Sequence, residues 1–294
     1  MENFIFLITK PDNIAILMLI FAVIFFGLLA FYKAIDNDKR LEKGKCLWED
    51  EIHNKEKVYT WPNLLSIELI TAISVIIILI LWSTFFNAPL EEQANFMITP
   101  NPSKAPWYFL GLQEMLVYFD TWIAGFLLPF ITILGLILIP YIDTNPKGNG
   151  YYSFKDRKLA ISIFLFAYLL WIFLIVIGTF FRGSNWNFFM PWEYWDINKI
   201  VPMVNRNFSD LIGINPQTYW LIRELPAIIL LSLYFIGIPI LVKKYYKSLY
   251  ENLGITRFSI TMLLFLLLIS LPIKMILHWI FHLKYLLVTP WFNI

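Results

Sequence analysis

Polar and apolar residues along this chain are segregated into blocks rather than alternating. Uninterrupted apolar runs occupy 12–32, 63–86, 121–142, 158–181, 222–242 and 257–282, each long enough to cross about 30 Å of hydrocarbon as a helix. The runs lack the period-two alternation of a barrel strand, and a helix satisfies every backbone group within its own segment. The pattern therefore predicts an all-α integral membrane protein with about six transmembrane helices. The first run is too long for a signal peptide, has no small-residue cleavage site, and reads as an anchor.

Between the runs, two connections are long and irregular, 87–120 and 182–221. In the first, "NPSKAP" favours extended or turn structure, because the residue before each proline is pushed out of the helical region. "WYFLGLQEMLVYF" then has helical spacing, with Trp107, Leu110, Glu114 and Val117 on one side and Tyr108, Leu112, Met115 and Phe119 on another. Pro106 suits the first turn and Ser103 is a candidate cap. A short amphipathic interfacial helix is expected there. The second connection crowds Trp186, Phe188, Phe189, Trp192, Tyr194 and Trp195 into one stretch. Such a cluster reads either as an aromatic belt at headgroup level or as the wall of a site or docking surface.

Composition agrees with the pattern: 59% of residues are hydrophobic and 15% charged, with a mean hydropathy of +0.65. A net charge of +2 gives no reason to expect nucleic acid as a partner. The basic residues are sorted by side instead. Connections after the first, third and fifth runs hold 15 of the 23 Lys and Arg residues, against 7 on the opposite side, with Lys274 inside the last run. The positive-inside rule then puts both termini and both long connections on the outer face. Cys46 is the only cysteine, which excludes an internal disulfide, covalent haem attachment and thiolate clusters.

Histidines bear on redox centres. A haem held between spans needs histidines on facing helices, and the chain has only His53 in an inner loop and the pair His278 and His282, spaced i, i+4 near the end of the last run. That pair is expected to be interfacial, and any haem to belong to a separate subunit. Glu68, Glu224 and Lys274 lie near or within spans, where charges face protein or water rather than lipid. Glu224 and Lys274 form a plausible packing pair, and Glu68 a candidate for proton uptake on the inner side. Pro129, Pro140, Pro226, Pro239 and Pro272 are expected to kink or flank helices.

The landmarks together resemble the C-terminal half of cytochrome b, or the subunit IV that forms this half as a separate polypeptide. "WPNLLSIELI" from Trp61 is similar to the start of subunit IV. "FNAPLEEQANFMITPNPSKAPWYF" resembles the outer segment leading into the Pro-Glu-Trp-Tyr motif, and "IPYIDTNPKGNGYYSFKDRK" the inner loop between the next two helices. The resemblance covers 61–221 well and 222–290 loosely. It divides the chain into 1–60, an extra N-terminal transmembrane helix and inner basic loop; 61–221, the cytochrome b-like helices with the outer loop 87–120; and 222–294, two further helices and the C-terminus.

The resemblance implies a membrane subunit of a bc-type quinol:cytochrome c oxidoreductase. It would form part of the outer quinol-oxidation site, and would not be catalytic alone. Quinol or quinone binds at that site. Haem b is carried by a cytochrome b N-terminal-type subunit, the iron–sulfur cluster by a Rieske protein, and cytochrome c accepts the electrons. A dimeric complex in lipid, in a bacterial inner or internal membrane, is the expected setting. The charge-derived topology puts the motif loop on the same outer face.

One departure bears on chemistry. Ala105 and Pro106 stand where the motif has proline and glutamate, so the family's proton-accepting carboxylate is absent at that position. Glu114 lies eight residues on, roughly 12 Å along a helix at 1.5 Å per residue, and a carboxylate in a half-apolar pocket is suited to accept protons near neutral pH. Glu114 is therefore either the candidate proton acceptor, with Tyr108 the hydrogen-bonding partner and Asp120 the exit toward water, or a solvated or ion-paired residue at the interface. Pro106, Trp107, Leu110 and Met115 are the candidate walls of the quinol pocket. Two other readings stay open: a six-helix transporter or channel, and a structural subunit without a catalytic role.

Overall fold

A computed structural model describes residues 2–53, 59–87, 93–145, 150–202, 204–215 and 217–294, with the side chains of 2–4, 12, 52 and 53 outside the description. The His53 side chain, Lys55, Lys57, Lys147 and the outer stretch 88–92 thus lie outside the described residues. Among those described, six helices are long and apolar enough to cross a membrane. They are α1 (Asn13–Glu42), α2 (Thr60–Phe85), α4 (Ile123–Ile142), α5 (Lys158–Phe181), α6 (Leu225–Tyr245) and α7 (Lys247–Phe281). The short helix α3 (Leu110–Tyr118) precedes α4.

The observed helix ends depart from the apolar runs where polar residues continue a helix. α1 runs on to Glu42 through the charged tail that hydropathy alone assigns to a loop. Asp36 and Arg40 pair at i, i+4 along it, a spacing that supports a helix. α7 begins ten residues before the predicted run but is interrupted at Gly254, whose φ of 71° and ψ of 171° break the helix. Inside α4 and α6 the turns Ile123–Leu127 and Leu233–Gly237 widen to π geometry. Pro129 and Pro239 follow each by two residues. A proline offers no N–H to the carbonyl four residues back, and its ring crowds that carbonyl. A widened turn relieves the crowding.

The chain divides into two compact units. One comprises Met1–Pro100, Asn145–Ser162 and Met190–Tyr194. Within it α2 buries no side chain, and Thr71, Ser74 and Thr84 return their hydroxyl protons to carbonyls one turn back. The polar end of α1 is tied to the inner loop. The fully buried Asn37 donates from Nδ2 to Glu49 Oε2 (2.7 Å) and to the Tyr152 carbonyl (3.0 Å), and its Oδ1 accepts the Trp48 N–H (3.1 Å). Asp38 accepts from the Ser153 hydroxyl (2.6 Å) and from the N–H groups of Phe154 and Lys155 (3.1 Å each).

The second unit comprises Asn101–Thr144, Ile163–Phe189 and Trp195–Ile294. Its core joins Met115, Tyr118 and Phe119 to Ile123 and Ala124 of α4, Leu174 and Ile177 of α5, and Leu271 and Met275 of α7. Two glycines bring α3 close against α5. A Cβ on Gly178 would lie 3.2 Å from the Leu110 carbonyl oxygen, and one on Gly111 would lie 3.3 Å from Ile175 Cγ1. Gly178→Val therefore overpacks a contact whose far side is backbone. Thermal unfolding in detergent should show a loss of about 1–3 kcal/mol, and no loss would mean that α3 is free to lift.

Candidate functional site

The approach to α3 is built by side chains from both directions along the chain. Pro106 is extended (φ −52°, ψ 148°), and a 3-10 turn, Trp107–Phe109, leads into α3. No side chain caps the helix start, Ser103 included; Gln113 instead holds the segment that leads into it. Gln113 Nε2 donates to the Ser103 carbonyl (2.9 Å), while its Oε1 accepts the Ala105 N–H (2.8 Å). Lys104 donates to the Thr179 carbonyl at the end of α5 (2.8 Å), its ammonium 5.0 Å from the Trp195 ring centre. Asn101 and Asn185 exchange two hydrogen bonds, 2.9 and 2.6 Å. The proline-rich segment is thereby stitched to the end of α5 and the turn after it.

At the centre lies Glu114, with no exposed surface. Arg182 meets it in a two-pronged ion pair, Nε to Oε2 at 2.9 Å and Nη2 to Oε1 at 2.6 Å. The Tyr118 hydroxyl donates to the same Oε1 at 2.8 Å, and Arg182 Nη1 donates to the Trp186 carbonyl at 3.0 Å. Planar guanidinium against carboxylate is a strong and geometrically specific hydrogen-bonding arrangement. Burial raises the Tyr118 phenol well above the ordinary tyrosine range, and the Glu114 charge adds to this. Burial alone would make Arg182 easier to deprotonate, but its hydrogen bonds to Glu114 and the charge of that carboxylate prevail, and its pKa is raised. On the far side of Tyr118 the His278 ring stands edge-on at 5.6 Å, its Nδ1 3.2 Å from the Leu283 carbonyl oxygen.

The predicted site residues divide into two groups. Leu110, Glu114 and Met115 face inward and are buried. Pro106 and Tyr108 are exposed and Trp107 half-buried, with the Tyr108 ring packed between Trp107 (5.6 Å) and Phe109 (4.8 Å). The phenol at Glu114 is Tyr118, one helical turn on, and not Tyr108. Asp120, half-buried, accepts the Thr121 N–H (2.8 Å), and its carbonyl accepts from Ile123 and Ala124 at the start of α4. The expected pair of Lys274 with Glu224 does not form. Glu224 is fully buried and takes Arg223 Nε (2.7 Å) and the Val288 N–H (3.1 Å). Lys274 Nζ is buried without a hydrogen-bond partner, 6.0 Å from the Phe119 ring centre.

The sequence reading missed Arg182, Tyr118 and Gln113. Two of the three left a signal: Arg182 closes an apolar run, and Tyr118 follows Glu114 at i+4. The aromatic connection is mixed. Phe189 is wholly buried against Trp195 at 5.6 Å, whereas Trp192 and Tyr194 are exposed.

The two histidine side chains described, His278 and His282, stand on one helix and do not face each other across two. His278 is buried with Nδ1 beside a carbonyl and its ring against Tyr118, and His282 is exposed at the helix end. Among the described residues no group of three or more His, Cys, Asp or Glu side chains stands together.

Residues 93–191, about a third of the chain, match the family described as "Cytochrome b(C-terminal)/b6/petD". This stretch holds the Glu114–Arg182 pair, the anchored proline-rich segment and the inner loop. The likeness to this family rests on that stretch. No solved structure matches the chain.

Proposed function

From its cytochrome b C-terminal region, we propose that the chain supplies one wall of the outer quinol-oxidation site of a bc-type complex. The observation that carries this reading is the anchoring of the 101–120 segment. Glu114 and Arg182 fix α3 from behind, so that Pro106, Trp107 and Tyr108 stand at its outer surface. A flat hydrophobic ring fits against such aromatic side chains, and Tyr108 has a hydroxyl to offer a ring oxygen. Leu110 and Met115 back this wall from the core.

The reaction in this reading is oxidation of a quinol to a quinone, with two protons released outward and two electrons passed to centres held by partner subunits. Those partners are a haem-b-bearing cytochrome b N-terminal-type subunit and a Rieske iron–sulfur protein, with cytochrome c as electron acceptor. The complex is a dimer, and both termini of this chain lie on the outer side of a bacterial membrane. Asp120, beside the start of α4, passes protons to water. Both oxygens of Glu114 already accept hydrogen bonds, so it takes a quinol proton only when Arg182 or Tyr118 releases one of them. Its first role is to position α3.

The test is purification in mild detergent through a tag on this chain, followed by a dithionite-reduced minus oxidised spectrum and a quinol-oxidation assay. A b-type haem band and quinol-dependent reduction of cytochrome c are expected to travel with the chain. An intact assembly without haem or iron–sulfur subunits would overturn the reading and favour a transporter.

A further inference from the structure

The turn after α5 contains the sharpest backbone irregularity in the second unit. Asn185 and Trp186, neither of them glycine, are consecutive left-handed residues, with φ of 56° and 58°. Side chains with a Cβ pay for that conformation and keep it only where surroundings enforce it. Here the surroundings are polar and specific. The Asn185 N–H donates to Asn101 Oδ1 (2.6 Å) and its Nδ2 to the Lys199 carbonyl (3.2 Å). The Trp186 N–H donates to the Gly183 carbonyl (3.1 Å), and its own carbonyl accepts from Arg182 (3.0 Å). Against this background one donor stands out. The Trp186 indole Nε1 is enclosed and has no hydrogen-bond partner among the described residues, although the residue as a whole is only half-buried.

Native proteins rarely leave a buried donor unmet, because it loses water and gains nothing in return. An indole N–H donates and cannot accept, so its missing partner is an acceptor oxygen. No described residue supplies that acceptor. The turn is tied to the proline-rich segment through Asn101 and to Glu114 through Arg182, and the rings of Phe181 and Phe188, before and after it in the chain, stack on each other with centres 5.4 Å apart. Aromatic side chains on both sides of the turn favour a flat neutral ring bearing oxygen over a hydrated anion. We propose that Trp186 is a binding residue of the quinol site, its indole N–H donating to one ring oxygen of the quinone or quinol. This inference rests on the function proposed above.

The experiment uses the purified complex and a short-chain quinone carrying 13C at its ring carbonyls. Dissociation constants and isotope-edited infrared spectra are compared for wild type and Trp186→Phe, which keeps an aromatic ring and removes the donor. Loss of one ligand hydrogen bond should weaken binding about tenfold. The lowered carbonyl band of the bound wild-type ligand should return toward its free frequency. Equal affinity and an unchanged band in the variant overturn the role of Trp186 while leaving the quinol site standing. If wild type does not bind the quinone at all, the proposed function itself fails. Should Trp186→Phe fail to assemble, wild-type complex labelled with 15N in its indoles decides. An indole band that shifts on quinone addition supports the assignment. A band unaffected by quinone overturns it, and one already hydrogen-bonded without quinone points to a partner carbonyl instead.

Discussion

Arg182→Met is expected to destabilise the second unit by about 3–5 kcal/mol, the usual result of removing one member of a buried ion pair. Glu114 has no exposed surface and, among the described residues, no other cation in hydrogen-bonding contact. Without the guanidinium its charge stays in the interior with only the Tyr118 hydroxyl to meet it, and the Trp186 carbonyl loses a donor as well. The double change Glu114→Met with Arg182→Met removes both charges and replaces them with apolar groups, so most of the loss should be recovered. Thermal unfolding in detergent, followed by near-ultraviolet circular dichroism, measures both. A single-variant loss below about 1 kcal/mol would place the pair among solvated surface bridges, and α3 would then lack the anchor that its role as a wall requires.

The same pair shows what could be read from the chain and what could not. The six spans follow from apolar runs because hydrocarbon leaves a helix almost no alternative, and α3 follows from its spacing. Glu114 emerged from that spacing as the carboxylate of the helix. Its partner is 68 residues away, and no local pattern ties a carboxylate to an arginine across two spans. Tyr118 was legible in principle, since residues four apart share a helix face, yet attention to the motif's neighbourhood favoured Tyr108. The helix ends misled for a different reason. Hydropathy falls where α1 leaves the apolar layer, but the helix continues because its charged residues find partners along and beyond it. The tie from Gln113 to Ser103 and Ala105 was illegible because a side chain reaching back ten residues to a carbonyl leaves no signature in composition or period. The departure at Ala105 and Pro106 was visible at once. The polar groups around it, Lys104 on Thr179 and Asn101 on Asn185, needed the fold.

The end of α1 offers the second large effect. Asp38→Ala should release the inner loop from the first unit at a local cost of about 3 kcal/mol, from three hydrogen bonds to a charged acceptor lost at once. Asp38 is nearly buried, and its carboxylate is the partner of the Ser153 hydroxyl and of the Phe154 and Lys155 N–H groups. Two adjacent backbone donors and a hydroxyl converging on one carboxylate fix the loop's backbone as well as its position. The change should appear as local opening rather than global unfolding, because the core of the second unit contains none of these groups. Tryptic cleavage at Lys155 and Arg157 reports it. At 1.4 kcal/mol per decade, such a loss raises the open population, and with it the cleavage rate, by about two orders of magnitude. Asp38→Asn keeps one acceptor oxygen and should fall between the two. Asn37 remains in the alanine variant, holding the Tyr152 carbonyl and Glu49, so α1 should stay attached while 153–155 comes free. Cleavage at the wild-type rate would mean that the remaining ties, Asn37 with Tyr152 and the Lys155–Glu42 ion pair, hold the loop, and that the Asp38 bonds follow its placement rather than cause it.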